Sequence, residues 1–482
     1  MVNLAYDFLY YMAFGQKFEF YFFVMFSTLM MVIRIFQLVS LPVIAQMYNL
    51  AFFIIFSSSL NSIVFSNPAV WVGGNFFFGV DAAILKFLTI SFWFSFYFFI
   101  KTFYFEEFFE KNEFKIFSLD IALCGALYFV SSNNLLEIFL GLELLAFPTY
   151  TLIGLEKTKA ATEAALKYFI YSVYGSLLVI LSFIVLFIVT GQVSFNDFVL
   201  FTDPYSMQLA LMLFCTAFMV KLGVGPFYHW APPVYQAVSS PVFIFISTIS
   251  KVPLLAAFVY LAKTAFLLPN SWAISYICFL LILGGLMSAK DLLSESNIRR
   301  ILAYTSNINF TIGLLGYFLG MFNVKIFLIY TVLYLVSNLS VYIWHLILNS
   351  NKLQKEEISN LGGFNKENTL AVFITNTSLI INSGLPPVTI FFFKLMAIGN
   401  IVFWPTAIFN LLGFFIAIFI LFASLSSYGA YFKIIKNVSY RKSFEVPDLY
   451  QEASLNQIKI FQFGLISTGL SIYFFVTALY FN

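Results

Sequence analysis

Apolar residues in this sequence come in long runs, and short polar stretches separate them. A helix needs about 20 mostly apolar residues to cross the hydrocarbon core of a bilayer. By that length rule the pattern predicts about 14 spans. They centre near residues 28, 53, 92, 124, 145, 178, 214, 252, 281, 309, 337, 384, 415 and 469. The expected fold is therefore an all-α polytopic membrane protein.

Two of the runs interrupt themselves. Residues 211–236, "LMLFCTAFMVKLGVGPFYHWAPPVYQ", begin as a span, then place Lys221 and Pro226 inside it. Residues 373–398, "FITNTSLIINSGLPPVTIFFFKLMAI", hold Pro386, Pro387 and Lys394. Proline removes a backbone hydrogen bond and clashes with the preceding turn. Freed carbonyls at membrane depth are tolerated only beside protein or water. Both runs thus predict discontinuous helices with a lysine near the break. They lie five spans apart, and five is odd, so a repeat of that length inserts upside down relative to its copy. Inverted repeats with broken helices are a transporter design. Chance prolines in two apolar helices are the alternative. The implied division is 1–115 for the first three spans, 116–265 and 266–436 for the two five-helix repeats, and 437–482 for a polar loop and the last span.

Composition narrows the class. Of 482 residues, 61% are hydrophobic and 10% charged, against about a quarter charged in a soluble chain. A net charge of +3 is too small to argue for nucleic acid. The three cysteines, Cys124, Cys215 and Cys278, stand alone in apolar runs, without metal or redox spacing. The two histidines, His229 and His345, make a bis-histidine haem improbable. No Gly-rich phosphate or dinucleotide loop is readable. The expectation is a chain without a cofactor or metal. The N-terminus, "MVNLAYDFLYYMAFGQKFEFYFF", reads as neither a cleaved signal nor an Arg-rich transit peptide. The 66 phenylalanines suit an AT-rich genome, and so an organelle-encoded gene, with ordinary drift in apolar spans as the alternative.

Charge sets an expected orientation. Sixteen Lys and Arg fall in the loops after odd-numbered spans, among them Lys115, Arg299 and Arg300. Four fall on the other side: Lys17, Lys86, Lys263 and Lys325. The positive-inside rule puts the rich side in the cytoplasm or matrix and leaves both termini opposite. Arg34, near the end of the first span, is expected to snorkel to the interface. Lys167, Lys221, Lys251 and Lys394 fall inside spans, where ionisable groups face a bundle interior or a hydrated cavity. Glu143 joins them in "FLGLELLAFPTY", with Pro148 after it, and Glu137 lies nearer the water boundary as a lesser candidate. Glu163 stands four residues before Lys167, so a local ion pair is the plain reading of that lysine.

At these residues the chain resembles the antiporter-like proton-channel subunits of respiratory NADH:ubiquinone oxidoreductase (complex I). "GLELLAFPTYTLIGL", "ATEAALKYFI", "FMVKLGVGPFYHWAPPVYQAVSSPVFIFISTISK", "NIRRILAYTSN" and "SGLPPVTIFFFK" carry the resemblance over roughly residues 135–400. It implies 14 helices with two inverted five-helix units. It further implies that Glu143 senses a neighbouring subunit and pairs with a lysine. Lys167 and Lys221 would serve the first half-channel, Lys251 would bridge, and Lys394 would end the second. A lysine at 394 fits the subunit 2 and subunit 5 branches rather than subunit 4, and no long lateral helix follows the last span.

Two places depart from the family. Tyr228 stands where a histidine is usual, two residues after Pro226, and His229 comes one residue later. One residue turns a helical side chain by about 100°. Asn309 stands where a second histidine is usual, and it cannot take up a proton near neutral pH.

The resemblance implies electron transfer in other subunits, with neighbouring antiporter-like membrane-arm subunits and lipids as partners. The expected location is the mitochondrial inner membrane, with both termini on the intermembrane-space side. A subunit of a stand-alone cation/proton antiporter complex and a purely structural spacer are the alternatives.

Overall fold

A computed structural model of the protein describes residues 18–36, 38–64, 80–104, 108, 113–132, 134–191, 204–263, 272–319, 324–350, 357–358, 369–384, 389–402 and 407–440. Among the described residues there is no β-strand, only isolated pairing such as that of Asn297 with Glu357. The first helices are α1 (Phe18–Ile35), α2 (Leu41–Val64), α3 (Val80–Phe103), α4 (Glu113–Val130), α5 (Leu135–Gly154), α6 (Lys159–Thr190) and α7 (Pro204–Leu222). A 3-10 turn, Gly225–Trp230, and α8 (Ala231–Ala237) follow α7. The next run is segmented: α9 (Ser240–Ile244), a π turn (Phe245–Ile249), α10 (Lys251–Leu254) and α11 (Ala256–Lys263). Then come α12 (Trp272–Ser294), α13 (Ile298–Leu319), α14 (Val324–Ser350), α15 (Thr369–Ser383), α16 (Thr389–Val402) and α17 (Ala407–Tyr440). Eight candidate spans among the described residues are long and apolar enough to cross a membrane. The protein is a multi-pass, all-helical membrane protein. The span expected near 469 lies outside the described residues, as do Lys17, Pro386 and Pro387.

Contacts divide the chain into two compact units. The first comprises Met1–Phe214 and Ile249–Phe266. Its tightest pair is α4 against α5. A Cβ on Gly125 would come within 2.5 Å of the Leu144 and Leu145 backbone, and one on Gly141 within 2.7 Å of Phe129 Cα. Small residues permit this backbone approach, which supplies helix packing in a membrane. α5 runs unbroken through Pro148. α6 is fixed at both ends. Thr158 accepts a hydrogen bond from the Ala161 amide at 3.1 Å, and Gly191, at φ +65°, donates to Phe187 O at 2.8 Å.

Three cations of this unit differ from their sequence reading. Lys86 is not a loop residue. It lies on α3, 2% exposed, and its ammonium is 3.2 Å from Glu19 of α1. Arg34 does not snorkel; it is 6% exposed. Lys115 opens α4, buried, with Nζ 5.2 Å from the centre of the Phe108 ring. Tyr48 of α2 donates to Asp120 of α4 at 2.6 Å, both buried.

The second unit comprises Cys215–Thr248 and Leu267–Asn482. Its centre is α13, packed by α8, α12, α14, α16 and α17. Buried on α13 are Thr305, Ser306, Asn307, Asn309 and Thr311. The three hydroxyls donate to carbonyls of their own helix. Asn307 reaches outward, while Asn309 donates to its own helix and accepts from Tyr330 of α14. Arg299, counted as a loop cation from the sequence, is buried and donates to Val238 O and to Ser240 Oγ, while Arg300 donates to Gln236 Oε1 at 2.6 Å. The arginine pair thereby holds the turn between α8 and α9.

Candidate functional site: two lysines at helix breaks

The first break is made by glycine. α7 stops at Leu222, and Gly223 takes φ +67°. Val224 N–H donates to Met219 O at 2.8 Å and Gly223 N–H to Val220 O at 3.2 Å. This paired pattern is a helix-ending cap that needs a left-handed residue at Gly223. Pro226 therefore does not break α7, as the sequence had suggested. It sits at the start of the 3-10 turn, where a missing N–H costs nothing.

Three neighbours hold the opened backbone. Asn307 accepts from Gly225 N–H at 3.0 Å, and its own amide approaches Gly225 O and Gly284 O at 3.5 and 3.4 Å. Trp230 Nε1 donates to Val220 O at 3.1 Å. Gly284 of α12 lets Gly225 come close, because a Cβ there would lie 1.8 Å from Gly225 C. Lys221 sits in the last turn of α7 with its ammonium nitrogen buried. A cation there faces the negative end of the helix dipole.

The two candidate residues after Pro226 diverge. Tyr228 is buried and donates to Asp291 Oδ2 at 2.6 Å, whereas His229 is exposed. Of the two, the tyrosine is the inward side chain.

The second break has the same components. α15 ends at Ser383, Gly384 takes φ +69°, and Lys394 of α16 returns to donate to Ser383 O at 3.2 Å. Lys394 is 4% exposed. Beside it Asn382 is hydrogen-bonded to Ser337 and, at 3.0 Å, to Asn338. Asn309 is buried, donating to Thr305 O and accepting from Tyr330 O–H, each at 3.0 Å.

In the first unit, Lys251 is 2% exposed at the start of α10, directly after the π turn and Ser250. α10 packs on α3 and α4. π turns occur disproportionately at functional places in helices. Glu143 and Glu137 are half-buried on α5. Lys167 pairs with Glu163 at 2.5 Å on the open face of α6, as the local spacing had implied.

The NADH:quinone oxidoreductase/Mrp antiporter transmembrane family matches residues 132–420. The chain belongs to this family. The resemblance read from the sequence, to antiporter-like subunits of complex I, is borne out at that level. A curated relative, NADH-quinone oxidoreductase subunit N from Wolbachia sp. subsp. Brugia malayi, is 28% identical over 339 residues, covering 69% of this chain and 70% of the relative. Other curated relatives with the same subunit name are also bacterial. The fold is shared with a chain of respiratory complex I from Thermus thermophilus, solved with bound aureothin (TM-score 0.73, 18% identity, 94% of this chain and 97% of that one). It is shared too with a chain of the membrane-bound sulfane sulfur reductase, an archaeal respiratory membrane complex (TM-score 0.69, 18% identity, 96% of each chain).

Asn307, Asp291, Gly284 and Arg299 were not among the candidates read from the sequence. Asn307 closes the quoted motif "NIRRILAYTSN", and Gly284 opens a Gly-Gly pair inside an apolar run, so both left a trace. Asp291, next to Lys290, reads as an ordinary loop charge.

Proposed function

We propose that the chain is a non-redox, proton-translocating membrane-arm subunit of NADH:ubiquinone oxidoreductase, of the subunit 2 type. Protons would be held in turn by Glu143, Lys167, Lys221, Lys251 and Lys394, with Glu137, Tyr228 and His229 as secondary candidates and Asn309 as a secondary candidate that can orient the route by hydrogen bonds but not hold a proton itself. The carrying observation is the pairing of a lysine whose ammonium end is buried with a glycine-opened helix end at two places. Lys221 lies in the last turn before Gly223, and Lys394 bonds the last carbonyl before Gly384. Burial penalises the ammonium form of lysine. Such a lysine can gain and lose a proton as a carboxylate approaches or withdraws.

The fuller architecture belongs to the same proposal: 14 helices, two inverted five-helix repeats and both termini outside. Its support is the odd spacing of the two breaks and the asymmetry of lysine and arginine between loops. A mitochondrial inner membrane is supported by the phenylalanine-rich composition. The chain would carry no cofactor of its own and would work with neighbouring antiporter-like subunits and membrane lipids, without nucleic acid. A subunit of a cation/proton antiporter complex is the second reading, favoured by a family that includes the Mrp antiporters.

The test is a native gel of gently solubilised membranes stained for NADH oxidation, with this chain located by mass spectrometry. Presence in a large active band supports the complex I reading. Presence only in a smaller, inactive assembly transfers the weight to the antiporter. Within the active complex, Lys221→Ala is expected to uncouple NADH oxidation from pumping.

A further inference from the structure

Asp291 lies outside the lysine–glutamate set, yet it accepts a hydrogen bond from Tyr228, three residues beyond the opened backbone at Gly225. Gly284, Ser288 and Asp291 follow one another at four and three residues on α12, which places them on one helix face. Gly284 touches the opened backbone at Gly225, and Ser288 is fully buried. Asp291 is half-buried, seven residues and about two turns further on. Lys290, Ser294 and Ser296 around it are exposed polar residues, as suits a helix end at the membrane's aqueous face. The Tyr228 phenol bridges the two levels, three residues after Gly225 in the chain and 2.6 Å from Asp291 Oδ2.

The geometry points to Asp291 as a proton-carrying group at the aqueous mouth of the first break, with Tyr228 as its inward partner. The inference rests on the proton-translocating reading above. The carboxylate binds a proton from water and becomes a neutral acid. That acid gives its proton to the phenol oxygen as the phenol O–H gives its own to the neutral amine of Lys221 at the break. The O–H bonds of acid and phenol break, a new phenol O–H and a lysine N–H form, and the pair returns to carboxylate and phenol with one proton moved inward.

Other charged or titratable groups surround the pair. Tyr304 of α13 lies 5.8 Å from Tyr228, ring to ring, and the His229 ring lies 4.2 Å from it. Lys290 and Glu295 flank Asp291 in sequence, and Arg300 pairs with Glu295. Lys433 of α17 donates to Leu293 O at 3.1 Å.

The experiment measures NADH oxidation and proton uptake together, across pH, in vesicles holding the whole complex. Asp291→Asn keeps an acceptor for Tyr228 but cannot carry a proton. The expected result is normal assembly, fewer protons per NADH and an altered pH profile, with Asp291→Glu restoring both. Native pumping and pH profile in Asp291→Asn, while Lys221→Met loses pumping, would overturn the role of Asp291 and leave the broader reading intact. If Lys221→Met pumps normally as well, the broader reading fails. Should Asp291→Asn not assemble, Tyr228→Phe decides. It keeps the carboxylate and the ring, so native behaviour there overturns the proposal and lost pumping supports it.

Discussion

Asn307 holds Gly225: its side-chain oxygen accepts the glycine amide at 3.0 Å, and its amide nitrogen lies 3.5 Å from the glycine carbonyl. A backbone opened inside a membrane protein needs such a substitute for the helix hydrogen bonds it has lost. One fully buried side chain provides it at both ends of one residue. Asn307→Ala leaves the Gly225 amide buried without that acceptor, which costs about 1–3 kcal/mol. The expected outcome is a complex that loses this chain at a lower temperature, measured by native gel after graded heating. Unchanged retention would remove Asn307 from its role as the clamp.

Gly284 supplies the space for the same contact. A Cβ there would lie 1.8 Å from Gly225 C and 2.2 Å from its oxygen, and these are backbone atoms that cannot rotate away. Overpacking of this kind costs about 1–3 kcal/mol or more. Gly284→Ala should reduce the amount of chain in the membrane. Gly399→Ala, with nothing within 4 Å of the new Cβ, should not. Immunoblots of the two variants against wild type check the contrast.

The lysine positions were legible because a charge in an apolar run stands out. The breaks were legible because proline does too. Their cause was not. Proline draws attention, but Gly223 ends α7, and only the backbone angle reveals it. Buried cations were the other blind spot. Lys86, Arg34 and Arg299 sit near the ends of apolar runs, where a lysine or arginine in water and one folded inward look the same in sequence. Hydropathy records each residue's own character, and the partner that permits burial arrives from elsewhere in the chain. Glu19 for Lys86 is 67 residues away, and Val238 for Arg299 is 61.

Gly384 separates the position of Lys394 from its presence. At φ +69° any other L-residue is strained, and a Cβ would come within 2.9 Å of the Lys394 nitrogen. Gly384→Ala is therefore expected to push the ammonium off Ser383 O while leaving the lysine in the chain. Pumping should fall nearly as far as in Lys394→Ala, with NADH oxidation retained. Proton uptake per NADH in vesicles reads the result. Full pumping in Gly384→Ala would show that contact with Ser383 is dispensable.

Glu19 and Lys86 offer the sharpest stability test, because both side chains are almost wholly inaccessible, at 4% and 3%, and lie 3.2 Å apart. Removing one partner of a buried pair strands the other charge, at a cost of about 3–5 kcal/mol. Replacing both with apolar residues of similar size is often neutral or favourable. Lys86→Met alone and Glu19→Leu alone should each deplete the chain from membranes, and the double variant should recover it. Retention under graded heating, compared across the four chains, gives the coupling between the two sites. Additive losses in the double variant would mean that neither residue is held by the other. Recovery would mean that the pair has a structural role in the first unit, separate from the lysines assigned to proton transfer.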